Sequence, residues 1–218
     1  MAVRIGIVDT GVDRQHKKFV QRELSGVGLR RRDDTYHFEP DFHDLNGHGT
    51  AMASLIVSIC KDASIHVVRI AQEHDDGVSV RVPEQLLATG IEWCVKQDIR
   101  IINVSYNIAG LAEGGGLHRV CRKAVESGTI IVAAYRKGEE MPVYPAVFPT
   151  VIGVRGRDDL EPGEVSVLSE ENRDLFAWGG SNSIATAQVS AMVGRIHSVD
   201  DSLGLEAVFA YLMEVAVE

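Results

Sequence analysis

Residues Ile5 to Asp13 read IGIVDTGVD, an apolar run that stops on a carboxylate, Asp9, and turns at Thr10 and Gly11. The nearly continuous apolar character from Val3 to Asp9 is that of a strand buried on both faces. Asp9 at its carboxyl end has three readings. It can share a proton with a second carboxylate as half of an acid pair, or orient an imidazole beside a nucleophile, or simply end a strand in a turn. These nine residues alone do not choose.

Working outward, the same kind of run recurs at Ile65 to Ile70, Ile99 to Ser105, Thr129 to Tyr135 and Thr150 to Gly156. Helix-length amphipathic stretches fall between or after them at Gly49 to Cys60, Pro83 to Gln97, Gly116 to Ser127, Ser183 to His197 and Ser202 to Val215. Strands alternating with helices predict βαβ units, hence an α/β protein with a mostly parallel central sheet and helices on both faces. No repeat, low-complexity tract or linker interrupts residues 1–218, so the pattern predicts one domain. Ligands of such sheets bind beyond the carboxyl ends of the strands. Asp9, Asn103 to Asn107 and Tyr135 to Lys137 all follow apolar strands and are expected to meet there.

Of 218 residues, 45% are hydrophobic and 24% charged, with a net charge of −9. An acidic balance disfavours nucleic acid and anionic membranes as partners, and favours a neutral or basic substrate. No apolar run is long enough to span a bilayer. The run Arg30 to Arg32 is the local basic exception, read as a solvated loop answered by Asp33 and Asp34. Cys60, Cys94 and Cys121 show no metal-like spacing and read as buried free thiols of a reducing compartment. The opening MAVRIGIV passes straight into a strand without the regions of a signal peptide, which points to the cytoplasm.

Two further segments carry candidate chemistry. In DLNGHGTAMASLI, Asp44 to Ile56, His48 sits between two glycines at the entry of an apolar helix. In GGSNSIATAQVSAMVG, Gly179 to Gly194, Ser183 opens a helix of small residues, where free backbone N–H groups can stabilise an oxyanion. Taken singly, His48 is equally a capping or core histidine and Ser183 a helix N-cap. Together they give the order Asp, His, Ser, each on its own motif. The chain here resembles the subtilisin-like serine peptidases. GIEWCVKQDIRIINVSYNIAG (Gly90 to Gly110), AVESGTIIVAAYRKGE (Ala124 to Glu139) and YPAVFPTVIGV (Tyr144 to Val154) resemble that family's substrate strand, oxyanion-loop strand and specificity-pocket segment. An acid pair would need a second Asp-Thr-Gly in the chain, which has none, or one from each subunit of a dimer, which would leave the His48 and Ser183 segments unexplained.

The resemblance implies a three-layer subtilisin-like fold, no cofactor, and a peptide or protein substrate. It implies Ser183 as nucleophile, His48 as its base and Asp9 as the orienting carboxylate. The backbone N–H of Ser183 would be one oxyanion donor. An extended peptide would add as a strand along Ser105, Tyr106 and Asn107, with Ala134 and Tyr135 on the opposite side.

The chain departs from the family in four places. Where the family reads Ala-Ala-Gly-Asn, this chain reads AAYRK, so Lys137 stands at the position of the oxyanion asparagine. Loss of such a donor costs about a hundred- to a thousandfold. Lys137 can donate in its place, or Asn107 or Asn182 can if the loop has moved. Ser181-Asn182 replaces Gly-Thr before the serine, and Ala187 a proline after it. AWGG runs almost directly into SNS, which shortens a cleft wall. SYNIAG replaces a glycine-lined strand, so Tyr106 and Asn107 crowd the cleft.

Only CKDAS (Cys60 to Ser64) joins the histidine helix to the next strand, too short for a calcium loop. Asp41, His43 and His48 match no strong metal template. The expectation is an intracellular endopeptidase of narrow specificity, suited to trimming a peptide precursor. Two other readings stay open: an impaired pseudopeptidase that binds a peptide or a partner protein completing the cleft, and an acyl-enzyme transpeptidase or cyclase.

Overall fold

The computed structural model describes residues 2–33, 35–74, 77–79, 82–111, 114–136 and 142–218. In it the opening run is a strand, β1 (Val3–Asp9), inside a nine-stranded sheet. To one side of β1 lie β4 (Ala63–Arg69) and β2 (Leu24–Arg32), and to the other β7 (Ile101–Val104), β9 (Ile130–Ala134), β11 (Ile152–Arg157) and β13 (Asp174–Trp178). All of these neighbours are parallel. Only the edges are antiparallel, β3 (Thr35–Glu39) on β2 and β12 (Val165–Ser169) on β13. Two short antiparallel pairs, β8 (Ile108–Ala109) with β10 (Val143–Tyr144) and β5 (Gln72–His74) with β6 (Gly77–Ser79), lie outside it.

Alternation along β1 feeds two cores. Ile5 and Ile7 enter one with residues of α1 (His48–Ile59), α4 (Asn182–Val199) and α5 (Leu205–Glu214). Val8 enters the other with residues of α2 (Glu84–Lys96) and α3 (Gly116–Glu126). A strand flanked by helices on both sides has no face for water, which is why its sequence is apolar throughout. Gly6 lies on the α2 side, where an added Cβ would press on the Cys94 sulfur and Ile99.

The expected α/β class, parallel sheet and two helical layers are what the chain forms. The five apolar runs are β1, β4, β7, β9 and β11, and the five helices start and stop within three residues of their expected ends. The basic run is different. Arg30 to Arg32 form not a loop but the end of β2, paired with His37, Tyr36 and Thr35 of β3. Arg32 pairs with Glu39 at 2.6 Å across that hairpin, and Asp34 lies outside the described residues. An edge strand solvated on one side carries no apolar run to betray it. The same holds for β12 and β13 at the opposite edge.

Cys60, Cys94 and Cys121 are buried free thiols. Burial raises all three, Cys121 to about 12, so none is a ready thiolate. Among the described residues no helix is long and apolar enough to cross a membrane.

Ile7 is wholly buried at the centre of the sheet. Ile7→Ala should cost about 2–5 kcal/mol of stability, read as a lower urea midpoint at unchanged slope.

Candidate active site

Asp9 ends β1 with no exposed surface, and the chain leaves it through Thr10 and Gly11. The 44–50 segment, which leads into α1, lies directly against that turn. A Cβ on Gly49 would overlap the Gly11 carbonyl oxygen, and one on Gly11, where φ is 115°, would overlap the backbone of Phe42 and His43. The glycines of Asp-Thr-Gly and His-Gly-Thr are thus one packing requirement.

Between the two loops sits Asp44, 8% exposed. Its Oδ1 accepts from the Thr10 hydroxyl at 2.7 Å and from the amides of Asn46 and Gly47 at 3.2 and 3.0 Å. Its Oδ2 accepts from the Thr50 amide at 2.8 Å and from the Thr50 hydroxyl. Thr10 Oγ1 in turn accepts from the Gly49 amide at 2.9 Å. Burial pushes the Asp44 carboxyl up, but the hydrogen bonds from Thr50 and Thr10 and the backbone of Thr50 and Asn46 outweigh it. It is held below the usual carboxylate value.

This clamp sets His48 beside Asp9, with Nδ1 2.7 Å from Asp9 Oδ1. The Thr10 amide donates to the same oxygen at 2.7 Å. Asp9 Oδ2, also buried, has no partner among the described residues. Its acceptor oxygen makes Nδ1 the protonated ring nitrogen, leaving Nε2 with its lone pair free. The hydrogen bond to Asp9 raises the His48 pKa above its ordinary value. Burial works against the rise, and the charges of Asp9 and Asp44 add to it.

Ser183 is the second residue of α4. The helix cap is Ser181, whose side chain accepts from the Ile184 amide at 3.3 Å. That leaves the Ser183 hydroxyl without a capping task, and it makes no hydrogen bond among the described residues. Asn182 beside it is occupied: Nδ2 donates to the Tyr135 carbonyl at 2.7 Å and Oδ1 accepts from the Gly156 amide at 2.8 Å. Both atoms of this carboxamide tie the start of α4 to the ends of β9 and β11. The Tyr135 carbonyl takes one of the two Nδ2 hydrogens, so the expected oxyanion donor also has a holding task. Lys137, the other expected donor, lies outside the described residues.

A cleft of about 690 Å³ opens over these strand ends, with His48, Ser105, Tyr106, Asn107, Ile108 and Arg136 in its wall, together with Thr10, Asn46, Val82 and Ala109. The expected substrate residues Ser105, Tyr106 and Asn107 are there. Tyr106 is 9% exposed and fills the floor more than it blocks the opening. Ala134 and Tyr135 are buried behind the wall. The Tyr135 phenol donates to Asp174 Oδ2 at 2.8 Å, and the Arg155 guanidinium lies 4.0 Å above its ring. Behind Ser105 runs a polar thread: Ser190 of α4 donates to Asn103 Oδ1 at 3.0 Å, and Asn103 Nδ2 donates to Ser105 at 3.2 Å.

Sequence reasoning missed the clamp of Asp44, Thr10 and Thr50. A carboxylate four residues before a helix-opening histidine was the available signal for Asp44, since such residues collect the free N–H groups of a helix start.

Away from His48, Ser25 Oγ lies 2.7 Å from His66 Nδ1. His66 Nε2 accepts from Arg4 at 3.3 Å, so Nδ1 carries the proton and donates to the serine. That tautomer cannot deprotonate it. Among the described residues no group of three His, Cys, Asp or Glu side chains is placed to hold a metal. Asp41 instead pairs with Arg69 at 3.4 Å.

The chain matches the Subtilase family over residues 1–217. It belongs to that family. It is 28% identical to thermitase of Thermoactinomyces vulgaris over 82% of this chain and 60% of that protein. It is 27% identical to the major intracellular serine protease of Bacillus subtilis (strain 168) over 84% of this chain and 60% of that one. The chain therefore spans about 60% of the length of these curated relatives. A solved prenylagaramide maturation protease, PagA, shares the fold at a TM-score of 0.70 and 20% identity, over 92% of this chain and 77% of its own.

Asp44→Asn should lower stability by roughly 2–3 kcal/mol at neutral pH, the scale of lost charge-assisted hydrogen bonds. Because folding lowers the Asp44 pKa, that stabilisation is present above the ordinary value of 3.8 and lost below it. Thermal melts of variant and wild type should converge as the pH falls through that range.

Proposed function

We propose that the chain is a subtilisin-type serine endopeptidase with Asp9, His48 and Ser183 as its triad. The observation that carries this is the 2.7 Å contact between buried Asp9 and His48 in a cleft wall, with Nε2 left free. In this reading Ser183 Oγ attacks the scissile carbonyl carbon as His48 Nε2 takes its proton, and Asp9 stabilises the imidazolium. His48 then protonates the leaving amine, and water activated by the same ring hydrolyses the acyl ester. The Ser183 amide, in the first turn of α4, is a donor to the oxyanion. Asn182 acts as the clamp that holds the turn of Ser183 against β9 and β11, and its second Nδ2 hydrogen is a further donor for the oxyanion.

A narrow specificity follows from a cleft wall built of Tyr106, Asn107 and Arg136 where relatives are glycine-lined. Processing of a peptide precursor inside the cell is the setting that fits it. The names of the intracellular Bacillus relative and of the prenylagaramide maturation protease support that setting.

A fluorophosphonate probe should label the wild-type chain and not Ser183→Ala. Absence of label on the folded wild type, under conditions that label an active subtilase, leaves the pseudopeptidase reading in place. The acid limb of kcat/KM should lie above 6.5, because the neutral imidazole is the base and its pKa is raised. Asp9→Asn should move that limb to lower pH and cut kcat by about ten-thousand-fold; an unmoved limb removes Asp9 from the mechanism.

A further inference from the structure

Between β9 and β13 runs β11, and at Gly153 that strand carries no side chain. A Cβ there would lie 2.3 Å from Asp174 Oδ1 and 2.7 Å from the Tyr135 ring. Through this gap Tyr135, at the end of β9, reaches across a whole strand, and its phenol donates to Asp174 Oδ2 of β13 at 2.8 Å. Arg155, two residues beyond Gly153 on β11, lies over the ring with its guanidinium carbon 4.0 Å from the centroid. Asp174 is 5% exposed. Among the described residues the phenol is its only side-chain donor, and its Oδ1 has no hydrogen-bond partner.

Neither side chain lines the cleft, but both hold what stands beside it. The Tyr135 amide donates to the Val154 carbonyl at 3.0 Å, and its carbonyl accepts from Asn182 Nδ2 at 2.7 Å. Asn182 Oδ1 accepts from the Gly156 amide at 2.8 Å, and Asn182 directly precedes Ser183. Tyrosine is a stiff plane with few rotamers, so a phenol fixed at one end sets where its backbone sits at the other.

We infer that Asp174 is a positioning residue of the hydrolytic site: by holding the Tyr135 phenol it fixes the Tyr135 carbonyl, and through it the Asn182 amide and the turn that presents Ser183. This rests on the peptidase reading above. An oxyanion donor works only at hydrogen-bond distance from the developing charge, and a misplacement of about 1 Å costs up to about a hundredfold. Releasing the tie therefore slows the chemical step and leaves peptide binding along Ser105 to Asn107 as it was. Ionisation adds a signature. Burial raises the Asp174 carboxyl to about 6, while the Tyr135 hydrogen bond and the Arg155 charge work against the rise. Tyr135 from β9 and Arg155 from β11 are the titratable and charged groups that act on it among the described residues; Arg173, its neighbour in the chain, turns to the Pro149 carbonyl and Glu206. A phenol donates more strongly to a carboxylate than to a carboxylic acid, so the tie is full above that value and slackens below it.

The test compares wild type with Tyr135→Phe, which keeps the ring and removes the hydroxyl, and with Asp174→Asn, which keeps the shape and removes the charge. The substrate is a quenched octapeptide chosen from a random library for turnover by wild type. At pH 8, Tyr135→Phe should lower kcat by about tenfold at unchanged KM, and Asp174→Asn should lower it part of the way. The double variant should match Tyr135→Phe alone, because both changes remove one tie. The ratio of wild-type to variant kcat should shrink towards one as the pH falls through about 6; the limb set by His48 is common to all and cancels. Urea melts establish that each variant is folded, and either variant alone decides the matter. A higher KM or a lower urea midpoint with kcat intact overturns the proposal, as does a kcat ratio that stays constant with pH. If fluorophosphonate labels wild type and kcat is unchanged in the variants, the positioning inference fails and the peptidase stands. If wild type takes no label and cuts no library peptide, the peptidase reading fails and the inference falls with it.

Discussion

The Asp44 carboxylate is the interaction on which the site depends. Two loops far apart in sequence, one leaving β1 and one entering α1, must be pressed together until glycine touches glycine. Buried Val12 and Phe42 anchor the loops in the core, and the turns beyond them still have to be tied. Asp44 does so by accepting hydrogen bonds from both sides at once, from Thr10 on one loop and from Asn46, Gly47 and Thr50 on the other. Each donor is a group that a helix start or turn would otherwise leave unpaired. A neutral or mobile side chain at this position would leave those amides unsatisfied and His48 without a fixed distance to Asp9.

The sheet supplies the second constraint. β1 stands between a branch that runs through β4 to β2 and one that runs through β7 and β9 to β13, so loops diverge on either side of its carboxyl end. Such a point is where α/β sheets open a crevice. Asp9 is there because it ends β1, and Ser105 and Arg136 are there because they follow β7 and β9. Ser183 arrives on the helix after β13, and Asn182 makes the joint by bonding backbone groups of two strand ends. Each strand contributes a residue or two, and the carboxamide fixes their spacing.

What could be read in the sequence follows from the same physics. Buried parallel strands announce themselves because both faces are apolar, so β1, β4, β7, β9 and β11 were plain. Glycine-flanked His48 and the ordered Asp, His, Ser motifs were plain because tight backbone contacts restrict which residues fit. The strands near the edges were not, since β2 with its three arginines, next to the edge strand β3, looks like a loop until β3 pairs with it. The holding role of Asn182 was also hidden, because its partners lie 26 and 47 residues away. Tyr135 similarly reads as a pocket residue until Asp174 is found to hold its hydroxyl.

The thread from Ser190 through Asn103 to Ser105 gives the cleft a particular stiffness. One end lies in the middle of α4, the helix that carries Ser183 in its first turn, and the other in the wall beside the cleft. A peptide that leans on this wall leans on the helix. Little conformational freedom is then left to be lost on binding, and a surface ordered in advance keeps the affinity that a floppy one would spend on its own ordering. Selectivity on such a wall comes from fit and not from adaptation, so a peptide of the wrong shape finds no second arrangement of the cleft to accept it.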